Sequence, residues 1–199
     1  MEKLKLIPEI LLQRSVPAQL YGINPRTIKG SSWWDKKREE VYASTNYHCA
    51  ACGVHRDNAK HYKRLEAHES FKFDDIEFVA ELDRIVPLCH LCHNFIHFGR
   101  LQLIKASDSF ISEVFLHGLT VLSNSDVVLA QMLVNIYIER AERLKIDISK
   151  LGFEFKEVEK VSVLNTSKRK AVKRKDWRLL FEGIYYDGKT NEQLRRDYK

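Results

Sequence analysis

Cys49-Ala50-Ala51-Cys52 and Cys89-His90-Leu91-Cys92 are two CxxC pairs, and together they account for every cysteine in the chain. Each pair places two sulfurs on one tight turn. Two such turns close the tetrahedral four-thiolate site that zinc favours in structural centres. In a reducing compartment, cysteines so arranged serve as metal ligands rather than disulfide partners. Binding contributes on the order of 10 kcal/mol in zinc-finger peptides, enough to make a small domain rigid. The expectation is one structural Zn2+ held by Cys49, Cys52, Cys89 and Cys92, with residues 53–88 looping out and back.

Hydrophobic residues make up 44% of the 199, which supplies a sizeable core and excludes wholesale disorder. No apolar run approaches the roughly 18 residues of a membrane span. The opening Met1-Glu2-Lys3-Leu4-Lys5-Leu6-Ile7-Pro8 has no long apolar stretch or small-residue cleavage site. We expect a soluble, cytoplasmic protein with no membrane partner. The formal net charge is +6 and is unevenly placed. Residues 160–199 hold 12 basic and 5 acidic side chains, so the rest of the chain is nearly neutral. A cationic C-terminal region favours a polyanionic partner.

Pro8, Pro17, Pro25, Gly22 and Gly30 punctuate an N-terminal extension (1–34), which reads as extended segments and turns. A helix starts near Ser31–Asp35 and runs to about Asn46, with Trp33, Trp34, Val41 and Tyr42 as its apolar face. Arg64–His68, Phe71–Phe73 and Glu77–Leu82 read as strands, with a turn at Asp74-Asp75. His90–Phe98 reads as a short helix stopped by Gly99. Further helices are expected at Asp108–His117, Ser125–Leu144, Asp176–Phe181 and Asn191–Tyr198, with a turn at Tyr185–Lys189.

Seven of the eight histidines crowd between His48 and His97, and only His117 lies outside. His93 and His97 stand four apart on the predicted short helix, which puts both imidazoles on one face, able to grip one cation. His68 lies on the preceding strand, flanked by Glu66 and Glu69. Hydrolysis of a phosphodiester needs an activated water and a cation on the phosphate. A neutral histidine can accept the water's proton, so His68 is a candidate base. Two imidazoles lean toward a transition metal, although Mg2+, Mn2+, Ni2+ and Zn2+ all stay open as the catalytic metal.

The stretch Tyr42–Arg100 resembles the zinc-containing HNH endonucleases. The resemblance is carried by Tyr47-His48-Cys49-Ala50-Ala51-Cys52-Gly53, by Leu65-Glu66-Ala67-His68-Glu69, and by Val86-Pro87-Leu88-Cys89-His90-Leu91-Cys92-His93-Asn94-Phe95-Ile96-His97. It implies an α+β fold: a ββα-metal HNH core with a four-cysteine zinc knuckle (35–100), flanked by a helical extension (101–155) and a basic C-terminal region (156–199). It implies catalytic roles among His68, Glu69, Asp83 and Asn94, and metal binding by His93 and His97. The family usually carries Asp or His just before the catalytic histidine, and here that position is Ala67. Either His68 fills the ligand role with Glu69 as base, or Glu66 or Asp83 supplies the ligand, or catalysis has been lost.

The expected function is a metal-dependent HNH endonuclease hydrolysing DNA. The alternatives are a catalytically degenerate zinc-stabilised nucleic-acid-binding protein and an RNA-cutting enzyme. Arg100 and the run Lys168, Arg169, Lys170, Lys173, Arg174 and Lys175 are the candidate phosphate contacts.

Overall fold

The structure is a computed structural model and describes residues 5–124 and 177–188. The expected helices at Ser125–Leu144 and Asn191–Tyr198, and the basic run, lie outside those residues.

The N-terminal segment is more ordered than its prolines suggest. Single 3-10 turns at Pro8–Leu12 and Ala18–Leu20 precede α1 (Pro25–Lys29). Pro25 suits the first turn of α1, where its missing N–H costs nothing. Asn24 and Thr27 form a reciprocal capping box before it. Then α2 (Ser31–Ser44) buries Trp34 and Tyr42 and delivers the chain to the first CxxC.

β1 (Glu66–Asp74) and β2 (Val79–Leu88) form an antiparallel hairpin whose turn begins at Asp74. The Asp74 carboxylate accepts hydrogen bonds from the amides of Ile76 and Glu77, which closes that turn. A bulge falls between Ser70 and Phe71. β2 runs without a break through Ile85–Leu88 into the second CxxC.

α3 (His90–Ile96) follows, then α4 (Phe98–Leu103) and α5 (Asp108–Ser123). Gly99 does not stop a helix as expected; α4 continues through it. The break falls at His97 instead, which caps α3. α5 outlasts its expected end at His117, because Val114, Phe115, Leu119 and Leu122 bury a stripe at helical spacing. Gly118 lets α5 press on α3: a Cβ there would collide with the Phe95 ring.

Of the segment expected as a helix at Asp176–Phe181, Arg178–Phe181 is a strand. β3 (Arg178–Phe181) pairs parallel with β2, and β4 (Ile184–Tyr186) pairs antiparallel with β3, giving the sheet order β1-β2-β3-β4. The turn is at Glu182-Gly183, both at positive φ, and Tyr185 lies in a strand rather than a turn. Leu179 and Phe181 alternate inward and meet Leu20, Ile23 and Ala80, a tertiary environment that overrides local helix preference. The larger core gathers Leu11, Leu65, Leu88, Leu91, Phe95, Leu101, Phe115 and Leu119 around the cysteines.

Candidate metal centres

The first CxxC sits on a knuckle built by backbone hydrogen bonds. Cys49 N donates to Val54 O, Gly53 N donates to Cys49 O, and Ala50 N donates to Pro87 O at the end of β2. Gly53 is at φ +75°, with the Leu6 side chain against it. The second CxxC straddles the start of α3. The four Sγ atoms all lie within 4.8 Å of one another, and Cys52 Sγ is 3.8 Å from Cys89 Sγ. Four thiolates about 2.3 Å from one zinc stand about 3.8 Å apart. All four cysteines are free of disulfides. Hydrogen bonds from Cys52, Cys89 and Cys92 pull the Cys49 thiol well below its ordinary range. This cluster can hold a metal ion, and its donor set fits a structural zinc.

His117 reaches the cluster from α5. Its Nε2 is 3.3 Å from Cys92 Sγ and 3.9 Å from Cys89 Sγ. An N–H there would offset thiolate charge. Nothing in the sequence singles out this histidine, since it lies outside the crowded region.

His68, His93 and His97 form a second group, with ligand atoms all within 4.8 Å of one another. β1 supplies His68, buried at 2% exposure, and α3 with its cap supplies the other two. His68 Nδ1 is 3.3 Å from His97 Nε2. That is the edge of a tetrahedron whose metal–nitrogen bonds are about 2.05 Å. Burial, reinforced by His93 and His97, pushes the His68 pKa down to about 3. Burial, with His93 and Arg100, pushes that of His97 down to about 4. Near neutral pH both rings are therefore neutral, each with one nitrogen protonated and one carrying a lone pair.

Two residues around this group, His90 and Gln13, carried no expected role. Glu66, one of the alternative ligands above, is not grouped with the three imidazoles but is bonded to one of them. One carboxylate oxygen is 2.6 Å from His93 Nδ1 and the other 2.6 Å from His90 Nδ1. Those hydrogen bonds hold its pKa at about 2 against the opposing effect of burial. His90, which carried no expected role, is thus tied to the site. Gln13 arrives from the N-terminal segment. Its Oε1 accepts from Phe71 N at 3.3 Å and its Nε2 donates to Glu69 O at 3.1 Å, spanning the register shift between Ser70 and Phe71. The same Nε2 is 3.3 Å from His68 Nε2. Glutamine at position 13 gave no sequence signal, because its partners lie more than 50 residues away.

The remaining expected residues divide. Glu69 lines a cavity of about 590 Å³ together with His68, His97 and Arg100, and burial raises its carboxyl pKa. Asp83 is engaged by Lys72 at 2.7 Å and Arg84 at 2.6 Å and is not among the residues gathered at the imidazoles. Asn94 is buried, with its amide nitrogen donating to His90 O at 2.8 Å. Ala67 pairs with Pro87 across the sheet.

No family model, curated protein or solved structure matches this chain. Among the described residues no helix is long and apolar enough to cross a membrane.

Proposed function

We propose that the protein is a metal-dependent endonuclease of the HNH type acting on DNA. One observation carries the reading: three imidazoles from β1 and α3 meet at ligand spacing, and two of them, His68 and His97, line a cavity that Arg100 also lines. His68 then fills the ligand role that Ala67 leaves vacant, with His93 and His97 as its partners. A divalent cation held there supplies Lewis-acid stabilisation of the phosphate. Glu69 is the group that takes the proton from the attacking water, and its raised pKa suits a base. Arg100, exposed beside His97, neutralises phosphate charge. Glu66 orients His93. Lys168, Arg169, Lys170, Lys173, Arg174 and Lys175 add nonspecific affinity through counterion release. Asp83 and Asn94 carry no catalytic step in this scheme.

Plasmid incubated with Mg2+, Mn2+, Ni2+ or Zn2+ tests it. Nicking or linearisation is expected with at least one ion, and His68→Ala and His93→Ala should abolish it. The absence of cleavage with every ion, alongside tight DNA binding, would instead favour a zinc-stabilised binding protein. Ala67 is the residue that favours that second reading.

A further inference from the structure

The geometry points to a pocket for one unpaired nucleotide immediately beside the three imidazoles. This inference rests on the nucleic-acid reading above and adds the form of substrate that the site takes. Two cavities flank the imidazoles. His68 and His97 line the first, His93 lines the second, and Arg100 lines both. A phosphate at Arg100 would therefore leave its neighbouring nucleotide at the mouth of the second cavity.

That cavity measures about 410 Å³, room for a nucleotide, and its walls suit one. Phe110 stacks on His90 at 5.5 Å between ring centroids, and Tyr62 meets His90 edge-on at 4.7 Å. Tyr62 is nonetheless 48% exposed and Ile104 is 57% exposed, so an aromatic and an aliphatic side chain stand at the rim. The Arg64 guanidinium lies over the Tyr62 ring, 4.7 Å from its centroid, a contact that a stacking base would share or displace. Neither Arg64 nor Arg100 has a carboxylate partner among the described residues. The loop carrying Tyr62 is fixed in advance: His61 sits at φ +68° with its Nε2 2.8 Å from a Glu113 oxygen and its ring edge-on to Phe110 at 4.9 Å.

Aromatic faces bind bases of any identity by stacking, and arginines meet the phosphates on either side. A paired base inside a duplex cannot present its face to Tyr62. The occupant is a nucleotide in single-stranded, bulged or extruded form.

The test uses the 199-residue chain prepared with zinc and without added catalytic cation, so that nothing is cut. The probe is a short DNA oligonucleotide carrying 2-aminopurine, offered as a single strand, as a perfect duplex, and as a duplex with the 2-aminopurine unpaired. Binding is read by anisotropy and stacking by the fluorescence of the base. We expect the unpaired forms to bind more tightly than the perfect duplex and to change 2-aminopurine emission. Tyr62→Ala should weaken the unpaired forms by on the order of tenfold and spare the duplex. Tyr62→Phe, which keeps the ring, should restore binding. Arg64→Gln should lower the salt slope by about one phosphate contact. Equal binding of all three forms, indifferent to Tyr62→Ala, overturns the pocket and leaves hydrolysis standing. Failure of the wild type to bind any form overturns both readings.

Discussion

Glu66 Oε2 lies 2.6 Å from His93 Nδ1, and this contact decides which nitrogen of His93 is left for a cation. A carboxylate accepts, so Nδ1 carries the proton and Nε2 presents its lone pair. Because residues two apart on a strand share a face, Glu66 and His68 approach α3 from the same side of β1. Glu66→Gln should lower cation affinity at the histidine site by roughly 10- to 100-fold. Titration calorimetry with Ni2+ or Co2+ on zinc-loaded protein measures it. An unchanged affinity would remove Glu66 from the site.

Gln13 acts on His68 in the opposite sense. Its amide is oriented by Phe71 N and Glu69 O, so an N–H faces His68 Nε2. That contact favours a proton on Nδ1, the nitrogen turned toward His97. Holding a cation at Nδ1 requires this amide to give up His68. Gln13→Glu replaces the donor with an acceptor for Nε2–H and should tighten cation binding severalfold. Nitrogen-resolved NMR of His68 should show the tautomer switch; weaker cation binding in the variant would refute the argument.

Removing a metal held by the four cysteines should unfold the knuckle and not merely loosen it. The cysteines are shared between the Gly53 turn and the start of α3, and the larger core surrounds them. Chelation, or Cys49→Ser, should abolish the cooperative thermal transition, because structural zinc contributes on the order of 10 kcal/mol in small domains. Calorimetry together with metal analysis reads this. His117→Ala should have a milder effect, visible as faster loss of zinc to a chelator, since it removes a contact to Cys92 and no ligand.

Acid should destabilise the protein in a defined window. The pKa of His68 is about 3 when folded, below its ordinary 6.5, so the unfolded chain binds the proton more readily. Its contribution is complete above pH 6.5 and is lost as pH falls toward 3. Glu66, lowered from 4.5 to about 2, adds stability present above 4.5 and lost toward 2. The thermal midpoint of protein free of added cation should therefore fall steadily below pH 6.5. His68→Asn should flatten the upper part of that decline.

Gly118 should tolerate no side chain. A Cβ there overlaps the Phe95 ring. Gly118→Val should cost several kcal/mol, as overpacked cores do at the upper end of their range. A denaturant midpoint equal to that of the wild type would refute the packing argument.

The two CxxC pairs and the His93/His97 spacing were legible because each encodes a local geometry, a tight turn or one helix face. The β1–β2 hairpin was legible for the same reason, through strand-like residues about an Asp-Asp turn. Position in the chain carried no such information for Gln13, His117, or the pairing of β3 with β2. Their partners lie far along the sequence, and only the folded chain brings them together. Sequence alone thus singled out the cysteines and histidines that the fold gathers into two groups able to hold a metal ion. Tertiary structure decided which nitrogen faces which neighbour, because burial and the placement of a carboxylate or an amide around an imidazole are properties of the packed chain.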